Sequence, residues 1–161
     1  MTASEYNQCV TDIADGLYRF AYKTVSDEEL AKDMVQQAFL TLWENCGKVP
    51  AAKAKSYLFT VAYRRCMDEF RGRKDFVAPE LVSGNLATRN HAPPDLKAVL
   101  QKALSRLTAQ NRMLVLLKDY EGYSYDEIAT LTGLNAAQIR VYLHRSRKQL
   151  KDYLVSVRHL I

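Results

Sequence analysis

Glycine and proline are scarce in this chain of 161 residues, which has 6 Gly and 4 Pro. Folds built from many short strands need tight turns, and these two residues are among the commonest in turns. The hydrophobic fraction of 48% and the charged fraction of 25% are typical of a globular protein. The composition therefore predicts an all-α protein, long enough for one ordinary domain or two small ones.

Long apolar runs are also absent. The longest one, Met113 to Leu117, is far shorter than the ~20 residues that a membrane-spanning helix needs. The first residues, Met1 to Tyr6, lack the basic stretch followed by an apolar core that marks a signal peptide. We therefore expect a cytoplasmic protein with no direct membrane insertion.

Cysteine and catalytic motifs are equally sparse. Cys9, Cys46 and Cys66 are odd in number and far apart, which argues against disulfides and a zinc module and predicts three free thiols. Burial as small apolar residues is the favoured interpretation of all three, and a redox-sensing thiol is the alternative. The chain has no Gly-x-Ser-x-Gly, phosphate loop or His-Glu-x-x-His motif. We predict no enzyme, metal, cofactor or small-molecule substrate.

Positive charge is concentrated in two segments. Residues 53–74 hold seven basic and two acidic side chains, and residues 136–161 hold six and one. Each segment therefore carries the net charge of the whole chain, +5, and the remainder is acidic. Clustered Lys and Arg can be no more than a solvated surface, but two such segments on predicted helices favour a polyanionic partner such as nucleic acid.

Helical periodicity divides the chain into two blocks. Apolar spacing predicts helices over Tyr6–Val25, from a Ser26/Glu29 capping box to about Asn45, and over Lys55–Arg71. In the last of these, Phe59 and Tyr63 could stack on bases, but their place on the apolar face favours core packing. The Pro- and Gly-containing stretch that follows predicts a flexible linker. We expect domains at 1–72 and 96–161, joined by a linker over 73–95.

The second block predicts a helix-turn-helix domain. After helices over Leu96–Leu107 and Thr108–Tyr120, a Ser124/Glu127 capping box opens a short helix, and Gly133 ends it. Asn135 then caps a helix from Ala136 to about Tyr153, whose inward face holds Ile139, Leu143, Ser146 and Leu150. Its outward face carries Arg and Gln, which match base edges in the major groove.

Nearly the whole chain resembles the extracytoplasmic-function (ECF) class of bacterial RNA polymerase sigma factors, in the sigma-70 family. Lys32–Trp43 resembles the family helix that grips the clamp of the polymerase β′ subunit. Tyr57–Arg71 resembles the helix that engages the promoter minus-ten element. Leu104–Leu154, which includes Gly122–Ala129, resembles the region that reads the minus-thirty-five element. The family brings RNA polymerase to a promoter and helps to open it.

The resemblance implies three groups of site residues and several partners. Polymerase contacts are Asp33, Gln36, Gln37, Phe39 and Trp43; minus-ten contacts are Lys55, Arg64, Arg65, Asp68 and Arg71; minus-thirty-five contacts are Gln138, Arg140, Val141, His144, Arg145 and Lys148. The implied partners are core RNA polymerase (β′ clamp and β flap), promoter DNA and an anti-sigma factor. Arg64 stands where the family usually has Asn, Gln37 where it has a carboxylate, and Val141 where a small polar residue is common.

Three other functions are weighed against this one. An enzyme is disfavoured because His91, His144 and His159 fall in the linker, on the DNA-facing helix and at the chain end. A conventional helix-turn-helix regulator, acting without being a polymerase subunit, has no use for the Asp33–Trp43 stretch. A sigma-like protein that serves only as an interaction partner has no need of two basic surfaces. The sequence therefore predicts a sigma factor for regulated transcription initiation.

Overall fold

A computed structural model describes residues 1–71 and 95–158 of the chain. Throughout those two ranges the regular elements are helices, so the predicted all-α fold is confirmed there. In chain order they are α1 (Ala3–Val25), α2 (Glu28–Glu44), a 3₁₀ turn (Ala51–Lys53), α3 (Ala54–Arg71), α4 (Leu96–Ser105), α5 (Ala109–Val115) with a wider π turn (Leu116–Tyr120), α6 (Tyr125–Thr132) and α7 (Ala136–Arg158). The predicted linker, apart from Asp95, and both His91 and His159 lie outside the described residues.

The junction between α1 and α2 differs from the sequence prediction. Ser26 does not cap α2, because it adopts a left-handed conformation with φ of 55° and ends α1 by donating its amide hydrogen to Tyr22 O at 2.7 Å. Asp27 caps α2 instead, and its carboxylate accepts from the amide of Leu30 at 3.1 Å. The predicted Ser26/Glu29 capping box is therefore wrong by one residue, since Asp is at least as good a cap as Ser.

The first block packs α1, α2 and α3 around the apolar faces that their periodicity predicts. Leu17 and Phe20 of α1, Met34 and Leu42 of α2, and Phe59 of α3 are completely or almost completely buried. Phe59 and Tyr63 are core residues here, so the interpretation of these rings as packing groups is confirmed.

The two blocks pack against each other, because their buried apolar side chains form one continuous cluster. The rings of Phe59 in α3 and Tyr123, which precedes α6, meet edge to face with centroids 5.5 Å apart. At the rim of this contact, Arg19 donates to the carboxylate of Glu121 at 3.2 Å. The described helices of the second block therefore cover one side of α3.

Arg112 of α5 lies buried at the centre of this contact between the blocks. Its guanidinium donates to the carbonyls of Leu104 and Leu107 at 3.0 Å, and it also donates to the carbonyl of Thr24 at the end of α1. The Phe70 ring of α3 lies 5.7 Å from the guanidinium carbon. Burial lowers the pKa of Arg112 to about 10, so the side chain stays protonated at neutral pH and joins the blocks as a cation.

Candidate nucleic-acid interface

The helix-turn-helix consists of α6, a short turn and α7. Ser124 Oγ accepts from the amide of Glu127 at 3.1 Å, and the Glu127 carboxylate accepts from the amide of Ser124 at 2.8 Å. These hydrogen bonds lower the pKa of Glu127, which keeps its carboxylate charged at the helix start. Gly133 ends α6 with φ of 83°, a conformation that only glycine adopts without strain. The predicted capping box and glycine stop are confirmed.

The start of α7 is fixed by a second reciprocal pair. The Asn135 side chain accepts from the amide of Gln138 at 2.8 Å, and the Gln138 side chain accepts from the amide of Asn135 at 3.1 Å. Ile139, Leu143 and Ser146 are buried, as predicted, which turns the opposite side of α7 outward. The helix runs to Arg158, five residues beyond the predicted end.

The predicted minus-thirty-five residues are all exposed on α7, although they do not share one narrow face. At about 100° per residue, Arg140 and Arg145 lie about 140° apart around the helix. Gln138, Val141 and Arg145 occupy one side of the exposed arc. Arg140 lies at its flank, where its guanidinium sits 4.7 Å from the ring centroid of Tyr125.

Two residues on this flank, Lys118 and Tyr125, were not identified from the sequence. Lys118 Nζ also lies 4.7 Å from the Tyr125 ring centroid. The neighbouring Arg147 donates to the Asp119 carboxylate at 2.6 and 3.1 Å, which raises the pKa of Arg147. A Lys–Tyr pair seven residues apart in the sequence gives no signal of contact, because the turn after Tyr120 brings the two residues together.

The predicted minus-ten residues of α3 divide between two sides of that helix. Arg64, Asp68 and Arg71 are exposed and, at spacings of four and three residues, lie on one side of the helix, where Arg71 pairs with Asp68 at 3.3 Å. Arg65 reaches across to Asp33 of α2 at 3.4 Å. Lys55 lies on the opposite side, where its ammonium is 5.5 Å from the centroid of the Tyr123 ring. The structure therefore brings three of the five together.

The predicted polymerase-contacting residues of α2 are exposed except for one. Asp33, Gln36, Gln37 and Trp43 are open to solvent, whereas Phe39 is buried with 8% exposure. Phe39 packs edge to face with Tyr6 of α1, and the Tyr6 hydroxyl donates to the Phe39 carbonyl at 2.9 Å. Phe39 thus packs beneath the exposed residues of α2.

Sequence reasoning missed Leu40 on this side of the molecule. Leu40 is 51% exposed and Trp43 is 48% exposed. The Trp43 ring is steadied by Tyr6, whose centroid lies 5.0 Å away. Together the two exposed side chains give α2 an apolar contact surface beside its polar residues.

Two further observations concern the cysteines and membrane spans. Cys9 and Cys66 are buried, Cys46 is half-buried, and all three are free thiols. None of the helices in the described part of the chain combines the length and apolarity required to cross a membrane.

Family comparisons match both blocks of the chain. Residues 9–76 match the family described as Sigma-70 region 2, and residues 97–150 match the family described as Sigma-70, region 4. The two matches follow one another in chain order and together cover well over half of the sequence.

Individual similar proteins are named as RNA polymerase sigma factors. The chain is 28% identical over 158 residues to the ECF RNA polymerase sigma factor SigE of Mycolicibacterium smegmatis. The match covers 92% of this chain and 61% of that protein. It is 28% identical over 145 residues to the RNA polymerase sigma factor CarQ of Myxococcus xanthus, with 84% and 80% covered. This chain therefore spans less than two thirds of the length of the Mycolicibacterium protein.

Two solved structures share the fold. One is the sigma factor RpoE from Bartonella quintana, in complex with the anti-sigma factor NepR, with a TM-score of 0.74, 22% identity, and 94% of this chain and 98% of that chain covered. The other is CnrH in complex with the cytosolic domain of CnrY, with a TM-score of 0.68, 21% identity, and 94% and 88% covered.

Proposed function

This chain belongs to the sigma-70 family of RNA polymerase sigma factors, in the ECF class, and from that premise we propose that it binds core polymerase and directs it to promoters. The observation that carries the proposal is the pairing of an exposed α2 surface with a capped helix-turn-helix on one chain. A conventional regulator needs the second feature alone.

We assign each proposed partner to one exposed surface of the chain. The polymerase β′ clamp contacts the exposed surface of α2, which consists of Asp33, Gln36, Gln37 and Trp43 with Leu40 beside them. The second block contacts the β flap. Arg64, Asp68 and Arg71 of α3 meet the minus-ten element. Gln138, Val141 and Arg145 of α7 meet base edges of the minus-thirty-five element, while Lys148 and His144 lie beside them.

Promoter opening is part of the proposed function. Separating bases costs a few kcal/mol per step, and a protein offsets this cost by holding the displaced strand. The exposed basic side of α3 supplies charges for a single strand, but its aromatic residues Phe59 and Tyr63 are buried and unavailable for stacking. These two rings therefore contribute nothing to strand capture by stacking.

Regulation and location are proposed from the same family membership. The sigma factor RpoE of Bartonella quintana, which shares this fold, is in complex with an anti-sigma factor, and we expect an anti-sigma factor to bind this chain. It acts in the cytoplasm, where the bacterial polymerase transcribes.

Reconstitution with core polymerase tests the function. Purified full-length chain and core enzyme, incubated with fragmented genomic DNA, should form a complex and produce RNAs with a shared start-site pattern that core enzyme alone does not make. Arg145→Glu should keep polymerase capture and lose promoter selection, since α2 is unchanged. Trp43→Ala should reduce capture. A chain that binds duplex DNA but captures no polymerase would instead support the conventional regulator.

A further inference from the structure

Tyr6 of α1 packs against the exposed ring of Trp43 in α2. The two ring centroids lie 5.0 Å apart and the ring planes meet at 64°, an edge-to-face arrangement that aromatic pairs favour. Trp43 nevertheless stays exposed. One part of its indole therefore rests on Tyr6, while the remainder is open to a partner.

The Tyr6 hydroxyl fixes the tyrosine ring in this position. It donates to the Phe39 carbonyl at 2.9 Å, and the Phe39 ring meets the Tyr6 ring edge to face with centroids 6.3 Å apart. Burial raises the pKa of Tyr6, so the hydroxyl keeps its proton and remains a donor. Tyr6 is therefore attached to two residues of α2, Phe39 and Trp43, that lie about one helical turn apart.

Trp43 lies in the last turn of α2, where a helix holds its residues least firmly. α2 ends at Glu44. The last carbonyls of a helix have no amide partner within it, and helix ends therefore fray. An exposed indole on such a turn can occupy several staggered rotamers. The hydrogen bond and the ring contact from Tyr6 join this turn to α1 and restrict the indole.

Tyr6 is itself held by the first turn of α1. Its amide donates to the Thr2 carbonyl at 2.9 Å. The Thr2 hydroxyl accepts from the amide of Glu5 at 3.1 Å, and the Glu5 carboxylate accepts from the amide of Thr2 at 3.0 Å. These hydrogen bonds with Thr2 lower the pKa of Glu5, which keeps its carboxylate charged at the helix start. Tyr6 therefore extends from a capped turn.

We propose, on the basis of the function proposed above, that Tyr6 is a positioning residue for polymerase capture, which holds the Trp43 indole in the rotamer that polymerase binds. Binding is weaker when a side chain must first be ordered. The apparent affinity falls with the fraction of free molecules that already hold the competent conformation. Loss of the Tyr6 ring should therefore weaken capture about two- to tenfold. The polymerase-binding surface of α2 thus depends on α1.

The fluorescence of Trp43 gives the first test, because it is the single Trp of the chain. Time-resolved anisotropy of the free full-length chain reports side-chain motion on the picosecond to nanosecond timescale. In the wild type, Trp43 should rotate with the whole protein. Tyr6→Leu should add a fast component of larger amplitude, whereas Tyr6→Phe, which keeps the ring, should stay close to the wild type. Tyr22→Leu is the matched control, since Tyr22 is an exposed tyrosine near the other end of α1.

A double-mutant cycle on polymerase binding gives the second test. Dissociation constants for immobilised core polymerase are measured with full-length Tyr6→Leu, Trp43→Ala and the double variant. Because Tyr6 acts through Trp43, the double variant should bind no more weakly than Trp43→Ala alone. Tyr6→Phe should recover most of the affinity that Tyr6→Leu loses, and Tyr22→Leu should bind like the wild type. Urea unfolding checks that each variant is folded; Tyr6→Met, which fills the space with a flexible side chain, replaces Tyr6→Leu if the latter unfolds.

The outcomes separate this proposal from the sigma function. Greater motion of Trp43 in Tyr6→Leu, together with losses of affinity that do not add, supports the proposal. Additive losses, unchanged affinity or unchanged anisotropy in Tyr6→Leu overturns it, while capture of polymerase by the wild type still supports the sigma function. A wild-type chain that captures no core polymerase would overturn both.

Discussion

At the scale of single residues, Arg112 combines a buried charge with several backbone hydrogen bonds. Replacing it with Met would remove a donor from the carbonyls of Leu107 and Thr24, whereas the Leu104 carbonyl would keep the amide of Leu107 as a donor at 3.1 Å. Buried groups that lose a partner cost about 1–3 kcal/mol each, less where water enters. We expect Arg112→Met to lower the free energy of unfolding in urea by about 2–4 kcal/mol.

A matched variant distinguishes this effect from a general loss of positive charge. Arg64 is exposed on α3, so Arg64→Met should change the free energy of unfolding by no more than ~0.5 kcal/mol. The free energy of unfolding of Arg112→Lys should be closer to that of Arg112→Met than to that of the wild type. One ammonium group cannot reproduce the planar fork of donors that the guanidinium provides. Equal stability of the Met variants at both positions would contradict the assigned role of Arg112.

The Cys66 thiol leads to a prediction about pH. Burial raises its pKa to about 12, whereas an unfolded thiol ionises near about 8.5. The contribution of Cys66 to stability is therefore complete below the pKa of the unfolded thiol and is lost as the pH rises toward the pKa of the folded thiol. Alkylation followed by mass spectrometry at mildly alkaline pH should modify half-buried Cys46 first and Cys66 only on unfolding. Equal rates for both thiols would contradict this.

At the scale of elements, Gly133 sets the angle between α6 and α7. Its φ of 83° is strained for any residue with a side chain. We expect Gly133→Ala to destabilise the protein by ~1 kcal/mol. The variant should also bind duplex DNA more weakly, because a changed turn alters the direction of α7 relative to α6. Gly47→Ala is the matched control, since Gly47 has no positive φ and open space around its Cβ position. Thermal unfolding of both variants should show a loss for Gly133→Ala alone.

The same element shows how far sequence reasoning reached. The Ser124/Glu127 box, the Gly133 stop and the Asn135 cap are local signals within a few residues of one another, and each was predicted. The Ser26/Glu29 box failed because two adjacent residues could cap α2, and the left-handed turn at Ser26 selected Asp27. A capping pattern therefore indicates a helix start more reliably than it identifies the capping residue.

Contacts between distant parts of the chain were beyond sequence reasoning. The hydrogen bond from Arg112 to the Thr24 carbonyl depends on the packing of α5 against α1, to which no local pattern refers. The Tyr125 cluster depends likewise on the turn that brings Lys118 back toward α6 and on the rotation of α7. Exposure on helices was predictable from periodicity, but the grouping of cations around one ring was not.

At the scale of the whole molecule, the packed arrangement of the two blocks is too short to contact both promoter elements at once. Elements centred at minus ten and minus thirty-five are about 25 base pairs apart, or about 85 Å at ~3.4 Å per base pair. A compact chain of this length has a radius of gyration of only about 15 Å. Contact with both elements at once therefore requires the blocks to separate at the Phe59–Tyr123 and Arg19–Glu121 contacts.

A cleavable cross-link tests whether separation is required. Arg19→Cys and Glu121→Cys, in a Cys46→Ser background, place two thiols at the rim where the native side chains pair at 3.2 Å. A bis-maleimide with an internal disulfide should hold the blocks together. We expect the cross-linked chain to capture polymerase through α2 but to give no promoter-specific transcript, and reduction of the linker should restore transcription. The single Arg19→Cys variant, treated identically, should stay active; full activity of the cross-linked chain would mean that the blocks need not part.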